Sequence, residues 1–227
     1  LPDLTLDDPA RARLTRRAGA SLELLAGERG IGQVASLSIG RGATVRVDPR
    51  QTIRLLSNGQ VRVDGRLEAH GGAIEVLPAG FRQAGLAQSH ARSIWIGSEA
   101  VLDVSGQAYV ARDANGLRYG FVDDGGRIEL GGNYGRDATV AEVTDAFVIL
   151  RPGAELNASG SAATVDIEGR RDTPLASNGG LIYLGSQNGL YLDGTLRAAA
   201  GGAGAVGGTL AVALESPNYA NAENPDD

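Results

Sequence analysis

The sequence contains no cysteine and no methionine. It contains no lysine either, so all 21 basic residues are arginine, and it has only two histidines. Without cysteine there can be no disulfide, no thiolate metal site and no cysteine nucleophile. Two isolated histidines, His70 and His90, argue against a zinc site, and no metal or other cofactor is expected. Without lysine there is no phosphate-binding loop of the G-x-x-x-x-G-K type. Without methionine there is no initiator, so Leu1 reads as an internal or processed start. Aromatic residues make up only 4%, so any core must be aliphatic. No apolar run reaches the roughly 18 residues of a membrane helix, and no signal peptide opens the chain. The net charge is −6, and the arginines are scattered outside Arg11 to Arg17, which argues against a nucleic-acid surface.

Glycine is abundant: 34 residues in a chain of 227. No strict G-X-Y period accompanies it, which excludes collagen. The apolar residues alternate in short runs, as in Val61/Val63, Ile74/Val76, Ile94/Ile96, Leu102/Val104, Ile128/Leu130, Val148/Leu150 and Ile182/Leu184. Each run sits beside Gly, Asn, Asp or Ser. This is the pattern of short half-buried strands between tight turns. The only helix candidates are Asp8 to Arg17 and Ala138 to Ala146.

Internal repeats point to the architecture. The motif G-G-x-[ILA]-x-[LV] begins at Gly71, Gly125, Gly179 and Gly207. Residues 94–130 align with 148–184 without a gap, at an offset of 54, and nine of those 37 positions are identical. A second pairing relates the segment from Asn58 to Ala69 to that from Asn188 to Ala198. A third relates Gly19 to Leu24 with Gly42 to Val47. One such unit cannot bury its apolar face alone, but stacked units can. The expected fold is all-β, a parallel β-helix spanning 19–215. Residues 1–18 are expected to form a cap or linker, and 216–227 a polar tail. An antiparallel sandwich would also give alternating strands, but it offers no reason for a gap-free repeat. Loops are expected to interrupt the coils near 77–92, 107–124, 133–145 and 161–177. All nine identities of the repeat flank 109–124, and none falls within it.

The segment Tyr109 to Phe121, YVARDANGLRYGF, is the strongest candidate for ligand binding. It carries Tyr109, Arg112, Asn115, Arg118 and Tyr119, and Tyr and Arg are enriched where binding energy concentrates. The alternative is a hairpin that turns at Asn115-Gly116 and packs its own aromatics over the coil. Asp113-Ala114-Asn115-Gly116 lacks the remainder of a twelve-residue calcium loop. The candidate carboxylates for an enzyme are Asp64, Asp103, Asp123, Asp124, Glu129 and Asp193. Across the 54-residue repeat they do not recur: Asp103 aligns with Asn157, and Glu129 with Tyr183; Asp64 and Asp193 do recur, as the first half of a D-G turn. No catalytic residue is assigned and no enzyme is expected. Trp95, between Ile94 and Ile96, should face outward, covered by a loop or serving as an anchor.

Several stretches resemble the large filamentous-haemagglutinin-type exoproteins of Gram-negative bacteria. They are Ser93 to Gly97 with Leu102 to Gly106, Arg118 to Val122 with Gly125 to Gly132, Asp145 to Gly160, and above all Asn188 to Gly202 continuing to Ala213–Pro217. The resemblance implies an internal segment of a right-handed β-helical stalk, exported through an outer-membrane partner and secreted or held at the cell surface. It implies attachment to a host-cell, matrix, glycan or bacterial ligand, without nucleic-acid contact or membrane insertion. The alternatives left open are a carbohydrate-active β-helix enzyme and a spacer with no ligand of its own.

Overall fold

The computed structural model describes residues 19–27, 35–78, 92–135, 141–167 and 170–214. All regular structure among the described residues is β. The chain runs through three parallel sheets, A, B and C, and visits them in the same order on every pass. The first pass lays down β1 (Leu22–Ala26), β2 (Leu37–Ile39) and β3 (Thr44–Arg46). The second lays down β4 (Thr52–Ser57), β5 (Val61–Val63) and β6 (Arg66–Glu68). The third contributes β7 (Ala73–Pro78), β8 (Ser93–Ile96) and β9 (Val101–Asp103), followed by an inserted hairpin of β10 (Ala108–Arg112) and β11 (Arg118–Val122).

The fourth pass has β12 (Arg127–Leu130) in sheet A, then a second hairpin of β13 (Gly132–Tyr134) and β14 (Ala141–Val143). It continues with β15 (Phe147–Leu150) in B and β16 (Glu155–Asn157) in C. A third hairpin follows, made of β17 (Ala162–Ile167) and β18 (Arg170–Ala176). The fifth pass holds β19 (Leu181–Ser186), β20 (Leu190–Leu192) and β21 (Thr195–Arg197), and β22 (Thr209–Leu214) returns to sheet A. Every pairing within sheets A, B and C is parallel. The three hairpins are antiparallel.

Strict register turns the alternating sequence into columns, because the side-chain period of a strand is two. In sheet A, Ile53, Ile74, Ile128 and Ile182 stack in one column, and Leu55, Val76, Leu130 and Leu184 in the next. Sheet B adds Val61, Ile94 and Val148, with Val63, Ile96 and Leu150 beside them. Sheet C adds Leu67, Leu102 and Leu156. These side chains are fully buried and form one continuous cluster of Ile, Leu, Val and Ala. The scarcity of aromatics is thus met by a core cluster that uses none.

The corner before sheet A is a column of glycines. The Cβ of an alanine at Gly126 would lie 2.1 Å from the carbonyl oxygen of Gly72; at Gly180 it would meet that of Gly126 at 1.9 Å, and at Gly208 that of Gly180 at 2.0 Å. Successive passes approach too closely here for any side chain. These are the second glycines of the four G-G motifs.

The 23-residue repeat has a different meaning from the others. Leu22 lies in sheet A and Val45 in sheet C, so that motif marks two sides of one pass rather than one column. The expected helix over Ala138 to Ala146 is corrected. Ala141–Val143 is strand β14, paired with Gly132–Tyr134. Pairing with the strand just before it gives this β-branched stretch backbone partners that a lone helical turn could not supply. The other candidate helix, Asp8 to Arg17, lies outside the described residues, as does the segment 79–91 and with it His90.

Candidate functional site

The segment Tyr109 to Phe121 is the β10–β11 hairpin. Its turn is built on Asp113, whose Oδ1 accepts the amides of Asn115 and Leu117, both at 2.8 Å. Asp113 and Leu117 also close the backbone at 2.9 Å, and Gly116 takes the left-handed conformation at φ 77°. Antiparallel register sorts the side chains into two faces. Tyr109, Phe121, Ala111 and Tyr119 share one, and Val110, Arg112, Gly120 and Arg118 the other.

The five candidate residues therefore do not share one face of the hairpin. Tyr109 stacks on Phe121 at 4.9 Å near the hairpin base. Burial is the main cause that raises its phenol above the ordinary value, with the Asp123 charge adding to it. On the same base, Arg50 reaches up with a two-pronged hydrogen bond to Asp123, its Nε donating at 2.8 Å, and its guanidinium lies 5.3 Å from the Phe121 ring. Tyr119 is half-buried opposite Ala111.

Arg112 and Arg118 are direct cross-strand partners, a like-charge pairing that costs stability unless each charge is answered. Arg112 donates to the Gly116 carbonyl at 2.9 Å and so closes its own turn. Arg118 is turned the other way, into the third hairpin. Its NH2 group donates to Asp166 Oδ1 at 2.9 Å and to Asp172 Oδ1 at 2.6 Å, and its own amide donates to Asp166 Oδ2 at 2.8 Å. Asp172 adopts a left-handed backbone, φ 59°, while its amide donates to Asp166 at 3.1 Å. The hydrogen bonds from Arg118 hold Asp166 far below the usual carboxylate range, and donating to Asp166 and Asp172 raises Arg118 in turn. Arg118 is thus the bolt between two hairpins, and Arg112 and Asn115 remain exposed at the tip.

The carboxylates disperse over the corners and outer faces. Asp64 pairs with Arg62, and Asp124 accepts the Asn178 amide at 2.7 Å. Asp193 is exposed. Glu129 is 2% exposed on sheet A, where the Tyr134 amide donates to it at 3.1 Å and Tyr134 packs 5.7 Å from the buried Tyr183 ring. Asp103 accepts the Ser105 amide at 2.9 Å and stacks in register on Asn157.

Sequence spacing did not bring His70 to this spot, yet His70 Nδ1 lies 3.3 Å from Ser105 Oγ and 4.0 Å from Asp103. The trio has the composition of a nucleophilic triad without its geometry. Serine and aspartate face the same ring nitrogen, whereas a relay needs one on each. Among the described residues, no group of three His, Asp or Glu is placed to hold a metal ion.

Sequence reasoning also missed a group on the outer face of sheet B. Trp95 does face outward, half-buried, with the Arg151 guanidinium 5.3 Å from its ring. Phe147 and Tyr191 join it on the next two strands, their rings 6.3 Å apart. The signal was available in the column that runs from Trp95 through Ile149 to Tyr191. No protein-family model, curated protein or solved structure matches this chain.

Proposed function

We propose that this chain is a stretch of right-handed parallel β-helix from a secreted or surface-displayed bacterial adhesin of the filamentous-haemagglutinin type, in which the rod is structural and the inserted hairpins carry attachment. The carrying observation is the division of labour in the fold. Among the described residues, three parallel sheets repeat in register, while three hairpins leave the passes at corners, and the 54-residue repeat has no identity over 109–124. Solenoids place their variable binding elements in this way. Parallel crossovers within one sheet are right-handed in about 98% of cases, which supports the hand. The absence of cysteine suits export of an unfolded chain, and local pairing suits folding pass by pass on emergence.

Within this reading the hairpin tip, with Arg112 and Asn115 in solvent, is the contact point for a host or bacterial surface ligand. The test is a glycan and protein array probed with the 227-residue chain and with an Arg112→Ala, Asn115→Ala variant. Loss of the array signal in the variant supports the hairpin. A signal that survives the double substitution overturns it, and a blank array for both favours a spacer.

A further inference from the structure

We infer that the outer face of sheet B is a second binding surface, for a polysaccharide that carries carboxylates. The placement of the few aromatics points there. The chain has one Trp, six Tyr and three Phe, and none of the described ones enters the aliphatic core cluster. They fall into three main groups. In the first, Tyr109 and Phe121 stack at the base of the β10–β11 hairpin against Arg50. In the second, Tyr134 joins the β13–β14 hairpin to the buried Tyr183 of sheet A. Both groups fasten a hairpin to the rod.

The third group is Trp95, Phe147 and Tyr191 on β8, β15 and β20. It ends in a ring left in water: Tyr191 is 58% exposed. Contiguous apolar surface left open on a folded chain commonly marks a site of interaction.

The geometry selects the occupant. Arg62, Trp95, Ile149 and Tyr191 occupy one outward column of sheet B. Adjacent rungs are about 4.8 Å apart, which puts Trp95 and Tyr191 roughly 10 Å apart along the stack. That interval suits alternate rings of an extended pyranose chain running along the rod, whose C–H faces stack on aromatic rings. Strands β8 and β15 beneath Trp95 and Ile149 are paired on both edges, whereas β20 is paired to β15 alone, so what this face offers a ligand is mainly side chains.

Charge then narrows the sugar. Arg62 is neutralised by Asp64. Arg151 is exposed beside Trp95, and no ion pair joins it to any carboxylate among the described residues, Asp193 just after β20 included. An unpaired guanidinium next to aromatic rings presents the planar two-donor fork that a sugar carboxylate fits.

The surface is separate from the hairpin tip, and so is its test. The full chain is run in native gels containing alginate, a polyuronate, and in gels containing a neutral β-glucan. Retardation by alginate and not by glucan is expected. Tyr191→Ala and Arg151→Gln each alter an exposed side chain, and each should weaken retardation by about tenfold, as hot-spot truncations do. Arg151→Gln should also flatten the salt dependence. The Arg112→Ala, Asn115→Ala variant should bind alginate like the parent, so failure of the hairpin reading leaves this one standing. Absence of retardation by alginate, equal retardation by the neutral glucan, or retardation indifferent to both substitutions would overturn the inference.

Discussion

Glu75 and Glu129 are register partners on adjacent parallel strands, and the fold buries both. They are not equally provided for. Glu75 receives Arg54 Nε at 2.7 Å, with Arg127 at 3.6 Å. Glu129 receives the Tyr134 amide, and Arg127 comes only to 3.8 Å. Burial is the largest influence on Glu129 and raises its carboxyl above the ordinary value, against the Tyr134 amide and Arg127.

A raised carboxyl holds its proton more tightly in the folded chain than in the unfolded one. Its stabilising contribution is therefore full in acid and is lost as pH rises through the folded value. Glu129→Gln should raise the melting temperature at neutral pH, with the gain shrinking to nothing as pH falls below the usual carboxylate range. Each kcal/mol recovered would move the midpoint by ~2–4 °C in a chain of this size. Thermal melts of both proteins across pH check this.

Glu68 should behave in the opposite sense. The hydrogen bond from Arg46 is the largest influence that lowers its carboxyl, and Arg66 adds a second. That contribution is present at neutral pH and is lost as pH falls through the lowered folded value. Glu68→Gln should melt lower than the parent at neutral pH and converge with it in strong acid. The same melts decide it.

The glycine column should be intolerant. Gly126→Ala drives a Cβ into the backbone of the pass below, where no flexible side chain can give way. Loss of the folded population is expected, read by circular dichroism and soluble yield. Gly40→Ala is the control: its added Cβ meets nothing within 4 Å, so stability should stay within about 0.5 kcal/mol.

The column of leucines in sheet C gives a graded test. Leu102 is fully buried between Leu67 and Leu156, so Leu102→Ala should cost about 2–5 kcal/mol in urea unfolding. Leu196, at the last rung of the same column, is only partly buried, and Leu196→Ala should cost less.

Arg118→Ala should free one hairpin from the other without unfolding the parallel sheets. Faster protease cleavage near Asp113 to Leu117, with an unchanged global melting transition, is the expected result. Asp166→Asn should reproduce it. Equal protection in parent and variants would show that the bolt carries no weight.

Much of the parallel-sheet stack is legible in the sequence alone. The 54-residue offset places Leu102 on Leu156, Ile128 on Ile182 and Leu130 on Leu184, and each pair is a true register pair. The four G-G motifs all open strands of sheet A. Such columns are readable because stacking imposes the same demand on each pass. Contacts outside the columns carry no such periodic signal. Arg118 meets Asp166 across two insertions with no common pattern, and His70 meets Ser105 at a corner. The five candidate residues of the hairpin share a chemical character suited to binding, but side-chain type says nothing of direction. Antiparallel register sends Tyr109 and Arg118 to opposite faces.

A barrel finishes when its last strand meets its first. Three sheets extended one pass at a time have no such closing step, because every strand laid down becomes the template for the next. Strand β22 is in this state. One edge is paired to β19, while Leu210, Val212 and Leu214 continue the buried columns at 54%, 51% and 61% exposure. Among the described residues it is the last strand of sheet A, and its apolar side chains carry the same register as the columns beneath it.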